Sequence, residues 1–111
     1  GVLEPAVDKY RRLAEVSPGV AVVEAWRDVE LALRAAAAEY DDRVGRGPSI
    51  VLIISYLVDR GRLDEDSQRF LAHLRQLRNQ VSHVADVALN EKDALRYARL
   101  ANRVVASLKG G

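Results

Sequence analysis

The chain is predicted to be all-α, a small up-and-down bundle of four to five helices forming one domain over residues 1–111. Three observations predict it. Apolar residues recur at alternating steps of three and four along the chain, which is helical periodicity. Helix-start residues stand before several of those segments, at Ser17, Asp64 and Asn90. The one β-branched run, IVLII at 50–54, has no second strand candidate to pair with.

Taken in order, Pro5 suits a first helical turn, and Leu3, Val7, Tyr10 and Leu13 share a face, so a helix is expected over about residues 4–15. Ser17 followed by Pro18 starts a second, long helix over about 18–43. Its buried stripe would be Val22, Trp26, Val29, Leu33, Ala36 and Tyr40, and its run Ala35 to Ala38 would let a neighbour approach closely. The segment GRGP at 45–48 breaks the pattern and makes a loop. From Ser49 the run SIVLIISYLVDRG is read as a helix ending at the cap residue Gly61. Being apolar on most sides, it would be the central helix of the bundle or one covered by a partner chain. Asp64 caps the next helix, DEDSQRFLAHLRQLRNQVSHV, which ends around Ser82 to Ala85 with the stripe Phe70, Leu74, Leu77, Val81 and Val84. Asn90 caps the last helix, whose stripe is Ala94, Tyr97, Ala101, Val104 and Leu108. Arg96, Arg99 and Arg103 form a second stripe on it.

Composition narrows the function classes. With 49% hydrophobic and 30% charged residues the chain can bury a core and is not a disordered polyelectrolyte. No run approaches the roughly 18 to 20 apolar residues of a membrane span, so no direct membrane insertion is expected. Cysteine is absent, which removes disulfides, thiolate catalysis and cysteine-bound zinc, and suits a reducing, cytoplasmic setting. Methionine is absent too, so the chain reads as a fragment of a longer protein. Residues 1–59 carry a net charge of −3 and residues 60–111 one of +4. That basic half can draw phosphates, but it is far from the basic stripe of a duplex-DNA reader. Nucleotide-binding glycine loops, HExxH, calcium loops and nucleophile elbows are all missing, so neither a cofactor nor a metal is expected.

The chemistry-bearing residues collect on the Asp64 helix. At about 100° per residue, Arg78 falls on the flank of the apolar stripe, Arg75, Ser82 and Asn79 turn progressively outward, and His83 lies further round. Arg78 and His83 rise about 7.5 Å apart along the axis and can converge on one group if the helix frays or bends at its end. Arginine offers a fork of donors matched to phosphate oxygens, and histidine moves a proton near neutral pH. The simpler reading is structural, with Arg78 paired to Glu30, a carboxylate interrupting the apolar face of the second helix beside Trp26 and Leu33. His73, about 15 Å from His83 along the axis, cannot share a metal with it and reads as a surface or packing residue.

The string LRQLRNQVSH, with arginine, asparagine, three residues and histidine ahead of the NEKDALRYA helix, resembles the signature of the HEPN superfamily. The resemblance extends from SPGVAVVEAWRDVE to Ala106. It implies a HEPN-like helical bundle that pairs as a homodimer, the motif helices of two subunits lining a cleft that in many members cleaves RNA without a metal. It further implies that the RNA 2′-hydroxyl attacks the adjacent phosphate, His83 moving the proton and Arg78 stabilising phosphoryl charge. Asn79 would orient substrate or histidine, and Arg75 and Ser82 would contact RNA phosphates. The second helix also looks similar to cytosolic portions of small bacterial membrane proteins with this domain, which implies tethering through parts outside this chain. Antitoxin-paired HEPN toxins carry a tyrosine two residues past the histidine, where this chain has Ala85. Regulation by modification there is not expected. The competing expectation is a non-catalytic helical module for dimerisation, or for binding a nucleotide or a protein partner.

Overall fold

A computed structural model describes residues 4–83 and 89–110, and of residues 4–6, 82 and 83 the backbone alone. Among these residues the chain forms α1 (Glu4–Val16), α2 (Pro18–Ala38), α3 (Asp42–Gly45), α4 (Ile50–Asp59), α5 (Glu65–His83) and α6 (Glu91–Gly110), with no strand. The all-α reading is correct. The expected helix count of four to five becomes six, because the single turn α3 separates from α2.

Short polar side chains fix the helix starts by accepting first-turn N–H groups that have no partner within the helix. Ser17 Oγ accepts from Val20 N–H at 3.4 Å, Asp64 Oδ1 from Ser67 N–H at 2.7 Å, and Asn90 Oδ1 from Asp93 N–H at 2.8 Å, as expected. Ser49 does the same for Leu52 N–H at 3.3 Å. Gly61, at φ +74°, ends α4 in a left-handed turn: Arg62 N–H reaches Leu57 C=O at 2.9 Å and Gly61 N–H reaches Val58 C=O at 3.0 Å.

The second helix stops five residues before its expected end at 43. Asp41 adopts an extended conformation and its carboxylate accepts the Arg43 N–H at 3.0 Å, starting α3 instead of continuing α2. Tyr40 consequently leaves the core and is 46% exposed. The small alanines are used by α3, whose Gly45 lies so close that a Cβ there would sit 2.7 Å from Ala38 Cβ and 2.8 Å from the Arg34 carbonyl oxygen. Arg34 closes the turn by donating to Gly45 C=O at 3.3 Å and to Gly47 C=O. Gly45→Ala is expected to destabilise the fold by about 2 kcal/mol, since backbone must move to admit the methyl group. Urea denaturation followed by far-UV circular dichroism measures it, and a change below about 0.5 kcal/mol would mean that α3 lifts from α2 at little cost.

The central helix is α2, which packs against each of the other five. Its face of Val22, Trp26, Val29, Leu33 and Ala36 is buried as the spacing predicts, joined by Ala21, Ala25 and Ala32. Val81 of α5 lies against Gly19 at the start of α2, and Leu89, just before α6, and Tyr97 of α6 share a groove with Val22. So α5 runs against α2 and α6 runs with it, and α1, α2, α5 and α6 alternate in direction in chain order.

The expectation that the IVLII helix would be central is incorrect. The residues flanking it meet the C-terminal part of α2 and the turn that follows: Arg34 donates to Gly47 C=O, and the Arg60 guanidinium lies over the Tyr40 ring, 5.6 Å from its centroid. Packed on α2 and α5, α4 buries Ile50, Ile53, Ile54 and Leu57 and leaves Val51 48% and Leu52 69% exposed. Arg62, just past α4, pairs with Glu39 at 2.7 Å and donates to Leu108 C=O at 2.7 Å, joining the ends of α2 and α6. Among the described residues no helix is long and apolar enough to cross a membrane.

Candidate nucleic-acid interface

The face that α5 buries differs from the expected stripe by one position. Leu71 and Leu74 are fully buried, Phe70 and Val81 are half-buried, and Leu77 is 49% exposed. Val84 and Ala85, where the stripe and the helix were expected to end, lie outside the described residues. On a helical wheel Leu71, Leu74, Arg78 and Val81 fall within about 80° of one another. Arg78 therefore occupies the middle of the core-facing side, not its flank, at a position where periodicity calls for an apolar residue.

Arg78 has few partners there. Its Nη1 donates to Asn79 Oδ1 at 3.1 Å, while its Nε is enclosed and has no acceptor. Glu30 does not supply one: its Oε1 accepts the Trp26 indole N–H at 2.5 Å, one helical turn away on α2. The expected Arg78–Glu30 pair is thus absent, because the carboxylate is engaged by its own helix. Glu30 is a structural polar partner, but of Trp26.

Tyr97 joins α6 to this region. Its hydroxyl donates to Leu74 C=O at 2.8 Å, the carbonyl that in a helix also accepts the Arg78 N–H. Burial pushes the Tyr97 phenol up from its ordinary value and the nearby Arg78 charge pulls it back only in part, so the hydroxyl stays protonated and keeps donating. Sequence placed Tyr97 in the core stripe; its hydroxyl needs a buried acceptor, which was the available signal for a tether.

The other expected site residues divide clearly. Asn79 is half-buried beside Arg78, and Arg75 and His73 are exposed. The helix reaches His83, but the side chains of Ser82 and His83 are outside the description.

On α6 the row Arg96, Arg99 and Arg103 is extended by Lys92, all four exposed. Their rises along the axis are about 6, 4.5 and 6 Å, which places four cations on one stripe. Among the described residues none of the four makes an ion pair. Arg96 also borders a groove of about 330 Å³ between α5 and α6, walled by Leu74, Leu77, Val81, Tyr97 and Leu100. No group of three or more His, Asp or Glu side chains able to hold a metal ion occurs among the described residues. Comparison of the chain with protein-family models, with curated proteins and with solved structures finds no significant match.

Proposed function

We propose that the chain is a HEPN-like RNA-binding domain and acts as a metal-independent endoribonuclease, with Arg78 and His83 of two copies meeting at a homodimer interface. The observation that carries this reading is Arg78: a guanidinium at a core-facing position, with a donor left without an acceptor, costs stability and has donors to spare for an anion. The sequence RNQVSH, with its histidine ending α5 just before the last helix, and the α6 cations, which make no ion pair among the described residues, support the same reading. In the reaction the RNA 2′-hydroxyl attacks the neighbouring phosphorus and the 5′-oxygen leaves. His83 moves the proton, Arg78 neutralises the phosphoryl oxygens, Asn79 holds the guanidinium in place, and Arg75 and Ser82 contact flanking phosphates.

The protein and its His83→Ala variant are to be incubated with single-stranded and hairpin RNA in the presence of a chelator. Cleavage by the wild type alone is expected, with RNA affinity falling as salt rises. Equal cleavage by both proteins would refute the role of His83.

A second reading, a non-catalytic dimerisation or partner-binding module, is favoured by the exposed Val51 and Leu52 on α4. It predicts a dimer that dissociates on Leu52→Glu and no salt-dependent affinity for RNA.

A further inference from the structure

A cavity of about 380 Å³ opens where α1, α2 and α6 meet, and no residue of α5 lines it. Its length runs along Asp28 to Ala35 of α2 and Asn102 to Lys109 of α6, about 10 Å in each case. One end is polar and tightly organised. Asp28 is held by Lys9 at 2.7 Å and by the hydroxyl of the buried Tyr10. Burial alone would raise the Asp28 carboxyl, but the hydrogen bonds from Lys9 and Tyr10 and the charges of Lys9 and Arg27 outweigh it and hold it below the ordinary carboxylate range. Lys9 and Asp28 thus cancel as charges.

Two polar groups on the cavity wall remain uncommitted. Asn102 is only 8% exposed, the one buried polar residue among the described core, and its Nδ2 has no acceptor. Such an orphan is costly and is retained where something else supplies the acceptor. Lys109 stands two turns further along α6 and makes no ion pair among the described residues. Helical side chains lean toward the N-terminus, so a lysine at 109 is able to extend its ammonium back over Val105 toward Asn102. Between these groups the walls are apolar, from Leu31, Ala32, Ala35 and Val105.

We propose that this cavity binds a small organic monocarboxylate, its carboxylate between Lys109 and the Asn102 amide and its short apolar chain along Leu31, Ala35 and Val105. Among the described residues Lys109 is the one lining cation without an ion pair, and a single positive charge calls for a monoanion. The apolar walls call for a short tail that inorganic phosphate lacks. The site is separate from Arg78, so it stands or falls independently of the RNA reading.

The test is an NMR titration of the whole chain with sodium hexanoate, with 1-hexanol and inorganic phosphate as parallel arms. Hexanoate is expected to shift the Asn102 side-chain amide and the backbone amides of Leu31 and Ala35, saturating with a dissociation constant on the order of 1 mM. Lys109→Gln, an exposed change in the last turn of α6, is expected to weaken binding about threefold. Asn102→Leu should abolish it. If that variant fails to fold, Ala35→Phe, at an exposed position, should block the cavity in its place. Equal binding of 1-hexanol or of phosphate, absence of saturable shifts, or unchanged affinity in Lys109→Gln and Ala35→Phe would each overturn the proposal.

Discussion

Replacing Arg78 with methionine is expected to stabilise the bundle by about 1 kcal/mol and to lower RNA cleavage at least about a hundredfold. Both effects have one cause. Arg78 stands between the buried Leu74 and the half-buried Val81 on the core-facing side of α5, with its Nε enclosed and without an acceptor. Methionine fills the space of the arginine stem, adapts its rotamer to the cavity and removes the unsatisfied donor. A purely structural arginine would behave in the opposite way, since breaking a buried pair strands its partner and typically costs about 3–5 kcal/mol. Urea denaturation and gel-resolved RNA cleavage, run on the same preparation, separate the two cases. An Arg78→Met protein that is less stable than wild type would make Arg78 a structural element. One that is more stable and still cleaves RNA would remove it from the site. Arg78→Lys adds a further contrast, because it keeps the charge and loses the planar fork. RNA binding at low salt should persist while cleavage falls.

Most of the helical framework was legible, because capping is local chemistry. Ser17, Asp64 and Asn90 each need only a first-turn N–H two or three residues away, and Gly61 needs only its own freedom at positive φ. What sequence did not reveal depends on distant neighbours. The termination of α2 at Ala38 rests on Asp41 choosing the Arg43 N–H, a choice that the docking of Gly45 on Ala38 reinforces. The peripheral place of α4 depends on which helices it meets: it packs mainly on α2 and leaves Val51 and Leu52 exposed despite its apolar composition. The register of α5 is the instructive case. Scoring Leu77 as core and Arg78 as flank follows hydrophobicity alone, yet the packing surface offered by α2 selects Leu71 and Leu74 and so turns Arg78 inward. The candidate residues stand out in sequence as a motif, but the reason Arg78 is exceptional lies in that rotation.

The second large effect expected is at Trp26, where substitution by alanine should cost about 3–5 kcal/mol. A chain of this length has a total stability of about 5–15 kcal/mol, so the variant would be at the edge of folding at room temperature. Trp26 is only 2% exposed at the centre of the α2 face, and its removal vacates the largest fully buried side chain. It also strands Glu30, whose Oε1 accepts the indole N–H at 2.5 Å. Trp26→Phe separates the two contributions, retaining most of the packing while deleting the hydrogen bond, and is expected to cost about 1–2 kcal/mol beyond the volume change. Because Trp26 is the sole tryptophan, unfolding must be followed by far-UV circular dichroism. Double-mutant cycles then assign Glu30: Trp26→Phe with Glu30→Leu should couple by about 1 kcal/mol, whereas Arg78→Met with Glu30→Leu should add within about 0.5 kcal/mol. Coupling found instead between Arg78 and Glu30 would restore the buried ion pair that the sequence suggests. It would also remove the main reason for regarding Arg78 as available to a phosphate.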